Sequence, residues 1–525
     1  MRVKMVPQAE GARASKKLRR ELTWTMVLLL CCFWVNVQAA EVSDNLVQVY
    51  KSGSTRFYTF NYPSKSASGE DVVLSSQLIA WMPSSPASTD SIESLHIYSH
   101  YTITSDKECP TLNQDFQMRL LFSSLANGKY GSDSDCNYVS RCVVIAPDYE
   151  GYGASKDRSH PYLSEELTAR QVLDAVQYGL ELYRKLVGNN QALEFKSDWR
   201  SFSWGFSQGG AVALAVHRYI EENGLSDELR FRGSICGDGP YDLIATMRYY
   251  MEDDGTSYDL TTTHQAGTCT MPMVMPMIVK GALDSHPVMQ GHSLDEYFSR
   301  QFLDTGIMDW LASKQYSTGD IEKKWYQQLQ NGLDANGRHY TPAQMAELFY
   351  SPSGNTVWGK LDKIFTAGYK DYSADHWADL YQAMVDNSVA TGWQPQHRIQ
   401  FVHSRGDTVV PYGNYLAFRD AHPEDEGELY RIDDSVSPLD HGNVGMQFFI
   451  SLAGGTYGKV FQWLDESPNP TGIENVLPFG QAQAEQCSMF NVQSNGWYTL
   501  DGRILNERPT VKGLYIHNGK KVAIK

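Results

Sequence analysis

The chain has 525 residues, enough for a large core with an insertion, and carries 61 Asp and Glu against 45 Lys and Arg, a formal net charge of −16. A surface this acidic repels nucleic acid and anionic membranes, and no basic patch with interleaved aromatics offsets it, so a nucleic-acid partner is excluded. No C-x-x-C, H-E-x-x-H or other metal-ligand spacing occurs, which leaves metal or other cofactor chemistry without support.

Residues 1–39 read as a signal peptide. Lys16-Lys17-Leu18-Arg19-Arg20 is a basic leader, Leu22 to Val37 is apolar, and Val37-Gln38-Ala39 suits cleavage before Ala40. A retained membrane anchor is the alternative. Cleavage places the protein outside the cytoplasm (secreted, periplasmic or at the cell surface), removes seven Lys and Arg and two Asp and Glu, and takes the net charge to −21. Six cysteines remain. Cys142 and Cys236 lie in apolar strands and read as buried thiols, whereas Cys109 and Cys136 flank a helix in loops and are the expected disulfide.

From residue 40 to 240 strands alternate with helices. Val72 to Trp81, Leu95 to Tyr98, Cys142 to Ala146, Arg200 to Trp204 and Arg230 to Cys236 are apolar strands, and Ala169 to Leu186 repeats apolar residues at helical spacing. This alternation predicts an α/β fold with a mostly parallel sheet covered on both faces. It stops between Asp238 and Gln400, where helical stretches occur instead (Leu294 to Leu303, Ile321 to Leu329, Pro342 to Phe349, Asp375 to Val385). Residues 241–396 are therefore expected to form a helical cap inserted after the sixth strand, over a cleft at the strand C-termini. Met271, Met273, Met275 and Met277 at its start suit either an adaptable apolar pocket or ordinary packing. The sheet resumes in residues 397–466. Residues 467–496 read as a linker, and 497–525, with two alternating runs around Asn518-Gly519, as a small β-hairpin tail.

Gly205-Phe206-Ser207-Gln208-Gly209-Gly210 lies between a strand and a helix. A serine at the apex of so sharp a turn tolerates only small neighbours, presents its hydroxyl above the sheet, and sits at a helix N-terminus whose N–H groups can hold an oxyanion. A serine needs a base, and the base an orienting acid. Asp407 follows the strand Ile399 to Val402 in a Gly-Asp turn, and His441 lies in a later loop before the helix-like run Val444 to Leu464. Asp148, Asp238 and Asp440 compete as the acid, and His96, His100 and His403 as the base. Asp148 and Asp238 come too early in the chain, and Asp440 is turned aside by adjacency to His441.

These segments, with Ala146-Pro147-Asp148-Tyr149-Glu150-Gly151-Tyr152-Gly153 and Asp440-His441-Gly442, resemble the α/β-hydrolase superfamily and within it the secretory lipases, over roughly residues 45 to 465. The resemblance implies a serine esterase or lipase acting through Ser207, Asp407 and His441, as a monomer without cofactor, on a small-molecule, lipid or sugar ester. It places the oxyanion donors at the Gln208 N–H and at Tyr101 or Thr102. Ser207-Gln208-Gly209 also looks like the elbow of acetyl xylan esterases. A prolyl-oligopeptidase-type peptidase and a non-catalytic binding module are the remaining readings. The last residues resemble sorting tails of type IX secretion, which implies a secretion machinery as partner.

Overall fold

The computed structural model describes residues 45–466 apart from 88–89, 129–139, 189, 252–263 and 455, together with 497–499, 504–505, 508, 513–517 and 520–524. A nine-stranded sheet organises it. Its strands are β1 (Val47–Ser52), β2 (Thr55–Lys65), β3 (Asp71–Trp81), β4 (Ile92–Ser99), β5 (Cys142–Pro147), β6 (Phe195–Phe206), β7 (Phe231–Gly237), β8 (Arg398–Val402) and β9 (Tyr430–Asp433). They lie in the order β1-β2-β3-β5-β4-β6-β7-β8-β9. The first four in that order pair antiparallel, and β5 to β9 run parallel. Every residue of β5 is buried, as a strand covered on both faces requires.

Helices α1 (Phe116–Asn127), α2 (Glu165–Val187) and α3 (Gln208–Glu222) connect these strands. Strands β1 and β2 both precede the first strand named from the sequence, Val72 to Trp81, and the insertion follows the seventh strand rather than the sixth.

The insertion leaves the sheet at Gly237 and re-enters at Arg398, on adjacent parallel strands. Its longest helices are α4 (Leu243–Met251), α5 (Val274–Ser285), α6 (Thr318–Asn331) and α7 (Asp375–Asp386). They bury an aromatic core of their own, with Trp325 and Trp377 at 0% and 1% exposure. The expected helix Leu294 to Leu303 is two pieces, Leu294–Tyr297 and Arg300–Leu303, because Ser299 restarts the chain by capping Phe302. Short ribbons interrupt the helices, pairing Leu333–Ala335 with Arg338–Tyr340, and Trp358–Lys360 with both Phe349–Tyr350 and Thr268–Cys269. Strands of two or three residues are too brief to show alternation.

After the sheet resumes come α8 (Gly413–Ala421), α9 (His441–Gly454) and α10 (Gly458–Asp465), the last two replacing the single run expected from Val444 to Leu464. Among the described residues no helix is long and apolar enough to cross a membrane. Beyond Pro470 a separate unit contains the strands Trp497–Thr499, Ile504–Leu505, Gly513–His517 and Lys520–Ile524, which pair antiparallel with one another. The expected signal peptide, the linker and the Asn518-Gly519 turn lie outside the described residues.

Candidate active site

Strand β6 and helix α3 meet at Ser207, whose φ of 58° and ψ of −127° put a non-glycine residue in strained backbone. The turn is closed so tightly that a Cβ on Gly205 would lie 2.2 Å from the Gly209 carbonyl oxygen, and one on Gly209 2.0 Å from that of Ser99. Only glycine fits at either place. The strained turn leaves Ser207 8% exposed, at the wall of a cavity.

Asp407 lies in the loop after β8 and is buried. Its Oδ1 accepts the N–H groups of Val409 and Val410 at 2.8 and 2.9 Å. The insertion braces this loop, because Thr270 Oγ1 donates to the Thr408 carbonyl at 2.9 Å and the Tyr250 hydroxyl to that of Val409 at 2.5 Å. His441 begins α9, against the ring of Phe206. Its Nδ1 lies 2.6 Å from Asp407 Oδ2, and its Nε2 2.9 Å from Ser207 Oγ. With Asp407 ionised, Nδ1–H donates to it and Nε2 is free to accept the serine proton. Burial works against the Asp407 charge, but the charge and hydrogen bond of His441 outweigh it and hold the carboxyl below its ordinary range.

The competing groups have other partners. Asp148 accepts from Ser75 Oγ at 2.6 Å and the Thr111 N–H at 2.9 Å, and burial pushes it up to about 6. Asp440 accepts from the Asn443 N–H at 3.0 Å, in the first turn of α9. His100 is hydrogen-bonded to the carbonyls of Tyr101 and Asp148, and His96 packs between Phe202 and Phe461. His403 Nε2 bonds the Val410 carbonyl at 2.9 Å. Asp238, set aside on chain order, is in fact beside Asp407, because β7 and β8 are neighbours.

Gln208 opens α3, and its side chain turns to His160 Nε2 at 3.0 Å. Tyr101 and Thr102 line the same cavity as Ser207, with Thr102 Oγ1 2.7 Å from the Tyr162 hydroxyl. His160 and Tyr162 carried no signal in the sequence. The expected Cys109–Cys136 pair is described at one end only. Cys109 is a free thiol, fully buried in a small cluster with Ile103 and Tyr152, and Cys136 lies outside the described residues.

The cavity over Ser207 and His441 holds about 890 Å³. Core residues such as Phe206 and Phe449 form one wall, and Met271, Met273 and Met275 of the insertion form another; Met277 faces elsewhere. Leu120, Met446 and Ile450, each more than half exposed, stand among its lining residues. A second cavity of equal volume shares Tyr162 but is lined by Lys107, Lys156, Arg158, Lys280 and Lys314.

A second Ser–His–acid chain exists inside the molecule. His217 Nδ1 lies 2.9 Å from Ser234 Oγ, and its Nε2 2.9 Å from Glu221 Oε1. Glu221 Oε1 also receives His397 Nδ1 and the His397 N–H, both at 2.8 Å. The groups His217–Glu221–His397 and Asp238–Asp407–His441 each bring their donor atoms within 4.8 Å of one another. In each group an imidazole and a carboxylate touch directly, at 2.8 and 2.6 Å. Two ligands of a tetrahedral zinc stand roughly 3.3 Å apart, so these atoms satisfy one another as hydrogen-bond partners.

The structure is similar to that of the rice cell wall degrading esterase LipA from Xanthomonas oryzae, with a TM-score of 0.55 at 19% identity, covering 80% of this chain and 93% of that one. A Legionella pneumophila protein gives a TM-score of 0.51 at 16% identity, with 82% and 93% covered. Lipase A of Candida antarctica, at 13% identity and a TM-score of 0.48 over 81% and 83%, is too distant to bear on the argument. Neither a protein-family model nor a curated protein matches the sequence significantly. At these identities the likeness speaks for the fold alone, and the fold is that of the α/β-hydrolases.

Proposed function

We propose that this protein is a serine hydrolase of carboxylic esters with an apolar acyl or alcohol group. One observation carries the reading: an unbroken hydrogen-bonded path from Asp407 through His441 to Ser207 ends on a strained serine at the wall of a largely apolar cavity. Ser207 Oγ attacks the ester carbonyl while His441 Nε2 takes its proton. The proton then passes to the leaving alcohol, and a water activated by the same nitrogen releases the acid from Ser207. Asp407 keeps Nδ1 protonated and stabilises the imidazolium. The Gln208 N–H at the start of α3 and a donor from Tyr101 or Thr102 hold the oxyanion, each worth on the order of 3 kcal/mol in the transition state.

The methionines and the exposed apolar residues of the lining favour a lipid-like ester over a sugar acetate, since thioether side chains adapt to flexible chains. A panel of p-nitrophenyl esters of rising chain length, acetylated xylan and Xaa-Pro peptides tests this. Turnover of the esters, labelling of Ser207 by a fluorophosphonate and neglect of the peptides are expected. Cleavage of the peptides alone, or labelling of a different serine, overturns the reading. We also read residues 1–39 as an export signal and the C-terminal strands as a sorting appendage. An exported protein that begins at Ala40 is the expected result of N-terminal sequencing.

A further inference from the structure

The path from Asp407 to Ser207 leaves one buried carboxyl unused. Asp238 follows directly after β7 at a φ of 35°, and its side chain is wholly buried. Its Oδ1 accepts the Ser404 N–H at 3.0 Å and lies 3.6 Å from His403 Nε2. Its Oδ2 lies 4.0 Å from His441 Nδ1, the nitrogen that Asp407 holds at 2.6 Å, and the Asp238 and Asp407 carboxyls are close enough to share a hydrogen bond. The hydroxyls of Tyr241 and Tyr457 are the other titratable groups near it.

Two carboxylates this close in a dry site do not both ionise. Asp407 has the better claim to the charge, because it accepts two backbone N–H groups and the imidazole, whereas Asp238 accepts one N–H. Burial, and after it the charge of Asp407 and a hydrogen bond to its carboxylate, push Asp238 well above the usual carboxylate range, so Asp238 carries the proton and donates it to Asp407. An asparagine would satisfy the Ser404 N–H without this conflict. A buried carboxyl that shares a hydrogen bond with the acid beside the His441 ring needs a reason.

Accepting the catalytic reading above, we propose that Asp238 is a second acid of the site, a neutral carboxyl beside His441 that becomes the histidine's ionic partner when Asp407 is lost. Removal of the Asp407 side chain takes away the repelling charge and opens the space between Asp238 and the ring. Asp238 then gives its proton to solvent, and its Oδ2 needs to move by only about an ångström to accept from Nδ1–H. In the intact protein it acts as a positioning residue, through Asp407 and the ring, and never touches the ester.

The comparison of Asp407→Asn with Asp407→Ala tests this. An amide at 407 donates to Nδ1, holds the wrong tautomer and cuts kcat by about 10⁴. Alanine makes no such bond, and with Asp238 in place its loss is expected to be about a hundredfold, returning to about 10⁴ in Asp407→Ala/Asp238→Asn. The residual rate of Asp407→Ala should rise with pH along a limb that the double variant lacks, which a merely structural role would not produce. If Asp407→Ala does not unfold cooperatively, Asp407→Ser with and without Asp238→Asn carries the same comparison. Equal rates, within about threefold, for the single and double variants overturn the proposal. Ser207→Ala in parallel separates the two failures: if it stays active the catalytic reading is wrong, and if it is dead while Asp238→Asn changes nothing, only the second acid is wrong.

Discussion

Two hydrogen-bonded chains in this molecule contain the same three kinds of residue at nearly the same spacing. Asp407–His441–Ser207 has links of 2.6 and 2.9 Å, and Glu221–His217–Ser234 links of 2.9 and 2.9 Å. What separates them is backbone and access. Ser234 is wholly buried within strand β7, whereas Ser207 is strained at a helix N-terminus and borders a cavity of about 890 Å³. Glu221 is saturated by His217, His397 and the N–H groups of Gln396 and His397, so it ties the end of the insertion to α3. A Ser–His–acid arrangement is thus a structural clip until strain, a helix terminus and an opening turn it outward.

The sharpest way to break this contrast is at the serines. Ser207→Ala should lower kcat on p-nitrophenyl butyrate by about four orders of magnitude or more with thermal unfolding unchanged, while Ser234→Ala stays within about threefold. Comparable losses in both would erase the distinction.

Stability should show the reverse. Glu221→Gln leaves two buried imidazoles without their carboxylate and is expected to cost about 3 kcal/mol in denaturant unfolding, with kcat per folded molecule within about twofold. Burial opposes the Glu221 charge, but the flanking histidines bring it down to about 2 from 4.5. Its stabilisation is therefore present above pH 4.5 and fades as pH falls toward 2. Burial also lowers His217, which adds to the loss of stability in acid. The variant should lose the part of this limb below pH 4.5 and keep the part set by His217; a parent-like slope below pH 4.5 would mean that Glu221 carries no linkage.

Glu165 offers the opposite sign. Burial pushes it up to about 8 from 4.5, so its contribution is full below pH 4.5 and is lost as pH rises through 8. Glu165→Gln should raise the unfolding midpoint at pH 9 and leave it unchanged at pH 4. The smallest effect belongs to the cavity wall. Met273→Ala should shift the preferred ester chain length by a few-fold in kcat/KM, because one or two methylene groups in an apolar pocket are worth only about 1–3 kcal/mol. An unchanged chain-length profile would place the acyl group elsewhere.

Much of the frame was legible because each feature marks a change of local physics. Gly205 and Gly209 announce the close approach at the elbow, and Asp407 and His441 each follow the end of a strand signal. Strands β1 and β2 both escape the sequence reading, and Pro63 within β2 argues against a central strand, though it fits near a sheet margin. The neighbourhood of Asp238 and Asp407 was hidden for another reason. The two lie far apart along the chain, and only the pairing of Gly237 with Val402 across the sheet brings them together. The buried state of Cys109 and the Gln208–His160 contact likewise depend on long-range packing that no local pattern encodes. Gln208 had been singled out for its backbone alone.

The bond between His441 and Ser207 joins residues 234 positions apart. During synthesis the residues of the turn and its helix have all been added by residue 222, but the Gly237 carbonyl that accepts the Ser207 N–H at 2.8 Å, and Asp407 and His441, are still unmade. In refolding, β8 must dock on β7 after the whole intervening excursion before any proton can move, and contacts so remote in sequence form slowly. On the proposed function, catalytic competence is then the last property the chain acquires, and its recovery should lag that of helical signal. A ribosome stalled before residue 441 would hold a tensed but harmless serine.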